Sequence, residues 1–141
     1  PLLERPTDEI IYEIHVRDFT VADETVPEPL RGTYLGLIHE NPARGERVST
    51  GLSHLKDLGV TAVHLLPIHD FGAAVGEYNW GYWTTLFNVP EGNYSTDPFD
   101  PTRSIVELRQ AIDGLHRAGI RVILDVVYNH TSSSFEYSAF H

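Results

Sequence analysis

Apolar runs of strand length alternate along this chain with helical stripes, and the alternation predicts an α/β fold. Ile10 to Val16 is an apolar-rich run bounded by polar sequence and predicts a first strand. Leu52, Leu55 and Leu58 then fall on one face of a short helix that Ser49 or Thr50 can cap and that Gly59 can end in a left-handed turn. Val60 to Leu66 follows, almost continuously apolar and stopped by Pro67, as expected for a parallel strand buried on both faces. The pattern repeats once more. Pro101 and Thr102 open a second helix with Ile105, Leu108, Ile112 and Leu115 on one stripe, Gly119 ends it, and Ile120 to Val127 reads as a third strand.

Strands at 10–16, 60–66 and 120–127 joined by two helix-containing crossovers must pair in parallel, in an open sheet or a barrel. Both linkers that leave a strand for its helix are far longer than the ~2–6 residues usual for such loops. The returns from helix to strand are as short as Gly59 and Gly119 allow. In a barrel the long loops form the active-site face, so the asymmetry favours an enzyme. The 141 residues suffice for one core but fall well short of the ~250 of a closed eight-stranded barrel.

Charge and composition narrow the partners. The formal net charge of -10 argues against a nucleic-acid backbone, and no apolar run approaches the ~18 residues of a membrane span. With no cysteine there is no disulfide framework, thiolate nucleophile or Cys-ligated zinc. The chain opens Pro1-Leu2-Leu3 without Met and no targeting segment follows, so its natural N-terminus is expected upstream, and the sequence leaves cytoplasmic and secreted locations equally open.

Candidate chemistry concentrates in two places. The loop from Phe71 to Phe99 holds Phe71, Tyr78, Trp80, Tyr82, Trp83, Phe87, Tyr94 and Phe99. Flat rings beside polar groups suit carbohydrate, whose pyranose rings present apolar C–H faces; the plainer reading is that the same rings pack the loop onto the sheet. At the end of the third strand stands Asp125-Val126-Val127-Tyr128-Asn129-His130, where alternation predicts Asp125, Val127 and Asn129 on one face. A carboxylate, an amide and an imidazole there fit a catalytic or binding position, and equally a buried structural acid with a satisfied rim histidine. His64, His69, Asp70, Asp125 and His130 together also allow a metal-dependent amidohydrolase-type barrel, although Ile14-His15-Val16 lacks the His-x-His pair such barrels carry on strand one. A non-catalytic carbohydrate-binding module is a third reading, which the βαβ pattern disfavours.

Asp125-Val126-Val127-Tyr128-Asn129-His130 resembles the first signature motif of the α-amylase superfamily of glycoside hydrolases. Tyr78-Asn79-Trp80-Gly81-Tyr82 and Asn88-Val89-Pro90-Glu91-Gly92-Asn93-Tyr94-Ser95-Thr96 resemble the motif run of type I pullulanases within it. The opening Ile11-Tyr12-Glu13-Ile14-His15-Val16-Arg17-Asp18-Phe19 and Leu65-Leu66-Pro67 are similar to that family's first two strands. The resemblance implies a partial (β/α)8 barrel over residues 1–141, comprising the first three parallel strands and two connecting helices. It implies a retaining glycosidase acting on α-glucan (pullulan, starch, glycogen or limit dextrin), with no required cofactor. It implies that Tyr82 stacks on the sugar to be cleaved, that His130 hydrogen-bonds that sugar, that Asp125 orients the nucleophile's neighbours, that Tyr78 and Trp80 line the substrate path, and that Asn129 is a ligand for a structural calcium. Both catalytic carboxylates would come from strands four and five, past His141, so none is assigned in this chain, and the rest of the barrel or another chain would be needed. Pullulanases continue Asp-Pro after the tyrosine where this chain has Trp83-Thr84, closer to some α-amylases, so α-1,4 hydrolysis stands as the alternative to α-1,6 debranching.

Overall fold

The computed structural model describes residues 4–132. Its strands are β1 (Ile11–Ile14), β2 (Glu40–Asn41), β3 (Ala62–Leu65), β4 (His69–Asp70), β5 (Leu86–Pro90) and β6 (Arg121–Leu124), and its helices are α1 (Gly51–Asp57) and α2 (Pro101–Arg117). The main sheet runs β1-β3-β6, parallel throughout, with Ile11 opposite Ala62 and Ala62 opposite Arg121. These are the three parallel strands and two connecting helices that the periodicity predicts, and they fit the partial barrel that the resemblance implies. Gly59 and Gly119 end the helices in the left-handed region, at φ 71° and 81°. Among the described residues no helix is long and apolar enough to cross a membrane.

The ladder is shorter than the apolar runs. Pro67 has no N–H to donate, β3 stops at Leu65, and the last bond across to the third strand is Asp125 N–H to the Leu65 carbonyl at 3.0 Å. Beyond it the chain leaves the sheet, so the expected alternation of Asp125, Val127 and Asn129 on one face does not hold: Val127 is buried and Asn129 exposed. The central strand is buried as expected. The outer two are not, since Ile11 on β1 and Leu124 on β6 lie open on the sheet's two sides.

Both helices pack differently in detail from their apolar pattern. Thr50 takes the N-cap position of α1 without capping it, its hydroxyl instead accepting from Asn41 Nδ2 at 2.9 Å, and Leu58 lies past the helix and is exposed. In α2 the side chain of Asp100 accepts from Thr102 N at 2.9 Å and caps the helix. The buried face carries Ser104, Glu107, Ala111, Gly114 and Leu115, while Ile105 is exposed. The reason is the neighbour: a 3-10 turn, Tyr34–Ile38, lies against α2, so close that a Cβ on Gly114 would meet Ile38 Cγ2 at 2.6 Å. Small residues therefore face that turn.

Neither long loop is structureless. The first contains the 3-10 turn just described; the second folds β4 and β5 into an antiparallel pair. Both begin at the C-terminal ends of adjacent parallel strands and so share one end of the sheet.

Candidate functional site

The second loop rises from Pro67 and returns as an arch through Tyr78 to Trp83. Gly81 makes the return possible: its φ is 85°, and a Cβ there would sit 2.6 Å from the Pro67 carbonyl oxygen. Asn79 Oδ1 accepts from Gly81 N at 2.8 Å and tightens the turn. Tyr82 is thereby aimed across the sheet end at the segment after β6.

There it is held at both ends. The Tyr82 hydroxyl donates to Asp125 Oδ2 at 2.7 Å, while His130 Nε2 lies 2.9 Å from the Tyr82 carbonyl oxygen and donates to it. The bond to Asp125, with burial adding to it, pushes the phenol pKa up to about 12, so the hydroxyl stays a donor across ordinary pH. With Nε2 protonated, His130 Nδ1 accepts from Asn129 Nδ2 at 2.9 Å. The Trp83 ring packs on the imidazole with centroids 4.5 Å apart. Tyr82, Asp125, Asn129 and His130 thus converge at the C-terminal end of the sheet. Both nitrogens of His130 are taken up by the protein itself, and its direct effect here is on the Tyr82 backbone.

On the β1 side of Tyr82 lie the other two expected residues. Tyr78 donates its hydroxyl to Asp18 Oδ2 at 2.9 Å, and Trp80 Nε1–H donates to the Tyr78 oxygen at 2.7 Å. The Asp18 carboxylate holds the Tyr78 hydroxyl in its protonated form, raising its pKa. Tyr78, Trp80 and Tyr82 line a cleft of about 300 Å³ with Glu13, His15, Asp18 and Leu66. The aromatic loop divides between its two readings. Phe71, Phe87 and Tyr94 are buried packing residues, whereas Tyr78, Trp80 and Trp83 are about half exposed or more, at 49%, 60% and 60%.

Glu13, Asp18 and the buried Glu91 stand within the motif runs, which assign them no role, and the buried Glu107 stands outside them; the parts all four play emerge only from the fold. Glu91 accepts backbone N–H bonds from Phe71 at 3.2 Å and Asn93 at 2.8 Å, and so closes the base of the arch. The metal-dependent reading does not survive the geometry. His64 faces Glu13 at 3.8 Å, His69 packs against Phe87 and His130 serves Tyr82, and among the described residues no three His, Cys, Asp or Glu side chains gather into a metal-holding group. A calcium would take the amide oxygen of Asn129, which the bond to His130, made through Nδ2, does not use. The parallel sheet removes the reading as a β-sandwich binding module.

A parallel sheet whose long loops set exposed rings and polar side chains at its C-terminal end has the arrangement of one part of an α/β barrel. The chain belongs to the α-amylase family: the family model "Alpha amylase, catalytic domain" matches residues 46–140. It is similar to the pullulanase of Bacillus subtilis (strain 168), 45% identical over an alignment of 130 positions that covers 89% of this chain and 18% of that protein. It is also similar to pullulanase 1, chloroplastic, of Arabidopsis thaliana, 36% identical over an alignment of 171 positions that covers 95% of this chain and 17% of that protein. Among solved structures, the pullulanase of Anoxybacillus sp. LM18-11 complexed with maltotetraose superposes with a TM-score of 0.87 at 46% identity, covering 99% of this chain and 21% of that one. The chain thus spans about a fifth of the length of the relatives it matches.

Proposed function

We propose that the protein to which this chain belongs is a retaining α-glucan hydrolase of the α-1,6 debranching type, and that residues Tyr78 to His130 form part of its sugar-binding rim. The observation that carries the reading is the double anchorage of Tyr82, hydroxyl to Asp125 and carbonyl to His130, at the strand ends where barrel enzymes hold substrate. A ring fixed in this way is a preorganised platform: a glucose unit laid on its face loses little further freedom, and its hydroxyls find Glu13 and Asp18 in the same cleft. Similarity to pullulanases, one of them complexed with maltotetraose, supports α-glucan as the ligand.

Hydrolysis with retention needs two carboxylates ~5 Å apart, one nucleophile and one general acid/base, which the remainder of the barrel would supply. This chain's share is to bind and orient. Asp125 holds the platform ring and His130 the backbone beneath it, so the glycosidic bond is presented at a fixed height above the strand ends. Chemistry of this kind is carried by carboxylates, so turnover is expected to persist after chelation with EDTA; a calcium at Asn129 would be structural, completed by ligands from elsewhere in the chain.

The second reading, α-1,4 hydrolysis, is favoured by Trp83-Thr84 after the platform tyrosine. Incubating the full-length enzyme with pullulan and with amylose decides between them. Maltotriose from pullulan, with amylose untouched, supports debranching. Short maltodextrins from amylose with intact pullulan support the alternative, and no product from either sinks both.

A further inference from the structure

One side chain ties together the two loops that build the cleft. His15 follows β1 directly, is 8% exposed, and contacts three separate segments. The backbone N–H of Asp18 donates to its Nδ1 at 3.2 Å, which leaves the ring hydrogen on Nε2. Nε2–H points at the carbonyl oxygen of Asn79, 2.9 Å away, with the Tyr94 hydroxyl oxygen at 3.2 Å as a second acceptor. Asn79 lies between Tyr78 and Trp80, and its own side chain fixes Gly81 just before Tyr82. Asp18, whose backbone His15 holds, accepts from Tyr78, which in turn accepts from Trp80. The imidazole also packs on the Tyr78 ring, centroids 5.4 Å apart. Tyr78 is therefore two hydrogen bonds from His15 and Trp80 three, while the Asn79 bond acts on the backbone between them.

We propose that His15 is a positioning residue for the sugar platform: through Asn79 and Asp18 it sets the height and tilt of the arch that carries Tyr78, Trp80 and Tyr82. The inference rests on reading that arch as the sugar platform. A histidine that served packing alone would need only its volume. This one uses both nitrogens, in a single tautomer, on two backbone groups belonging to different loops, so each loop's position depends on the other's.

The test compares two replacements in the full-length enzyme. His15→Gln retains a side-chain N–H able to reach Asn79; His15→Asn retains an acceptor for Asp18 N–H but falls short of Asn79. His15→Asn is expected to lower kcat/KM on pullulan on the order of thirtyfold, since displacement of a positioning group by ~1 Å is enough for such losses, and His15→Gln to stay within about threefold of wild type. Crystal structures of both variants supply a readout independent of turnover, with the Trp80 and Tyr82 rings displaced in the Asn variant and in place in the Gln variant. Wild-type kinetics per folded molecule in both, with a lowered Tm and an unmoved arch, would overturn the proposal. Should wild type cleave no α-glucan, the functional reading fails while the crystallographic comparison still decides the positioning role. Should His15→Asn fail to fold, Asp18→Ala, at an exposed carboxylate, takes its place: a shifted Tyr78–Trp80 pair supports the proposal and an unchanged arch with unchanged kinetics removes it.

Discussion

Tyr82 is the side chain on which sequence, geometry and proposed chemistry meet. Its ring is half-buried, its two polar ends are bonded, and one face borders the cleft. Replacement by Ala in the intact enzyme is expected to lower kcat on pullulan by about a hundredfold with little change in Tm, because a misplaced substrate and not a lost core contact would be the cause. A fall of ~3–5 kcal/mol in stability with near-normal kcat would instead assign the ring to packing. Glu91 makes a prediction of the opposite kind, on stability alone. Burial raises its carboxyl pKa above the usual 4.5, against the lowering effect of its bonds from Asn93 and Phe71. The native state then holds a proton that the unfolded state has lost, so this contribution is fully present below pH 4.5 and is lost as pH rises through the raised folded value. Glu91→Gln cannot titrate: its stability relative to wild type should improve between pH 4 and pH 7 in parallel melting curves, and a constant difference would refute the assignment.

At the level of elements, the loops prove as organised as the helices, and Glu107 shows how. It sits on the buried face of α2 and accepts from both the backbone N–H of Thr96, at 2.9 Å, and the Thr96 hydroxyl. The helix thereby clamps the descending limb of the aromatic loop. Glu107→Ala would orphan both donors, at ~1–3 kcal/mol each, and is expected to lower the Tm of the intact enzyme severely; a shift under about 1 kcal/mol would show the clamp to be dispensable. A carboxylate on the buried face of an amphipathic helix is what periodicity cannot find, because the hydrophobic pattern assigns Glu to solvent and its partner lies in a loop of no regular period. That is why the stripe errs at Ile105, which is exposed, while Leu108 and Leu115 do pack on the core; the strands, the two terminating glycines and the parallel order are legible because each is dictated locally, by apolar runs, by φ above zero and by crossover length. The same division holds in the site. Tyr82 and His130 were legible through a motif, while Asp18 and His15 acquire their roles only once the two loops are brought side by side.

The main sheet has three strands, and among the described residues no further strand pairs along the outer edges of β1 and β6. On β1 and just before it, Ile10 and Ile11 are 50% and 54% exposed; on and after β6, Leu124, Val126 and Tyr128 are exposed as well. Parallel edges of this kind present unpaired backbone groups beside apolar side chains, the combination that seeks another strand. In the barrel of its family these are the edges along which further strands continue the sheet. Expressed by itself, the 141-residue chain is therefore expected to self-associate, with sedimentation showing oligomers whose size rises with concentration. The two edges can be tested separately. Ile11→Lys and Leu124→Lys each place a charge on one outer strand without touching the central one, so either substitution should shorten the assemblies and the pair together should shift the chain toward monomer. If the unaltered chain sediments as a monodisperse monomer and melts in one cooperative transition, its edges do not need covering, and the dependence of this sheet on the remainder of a barrel would have to be abandoned.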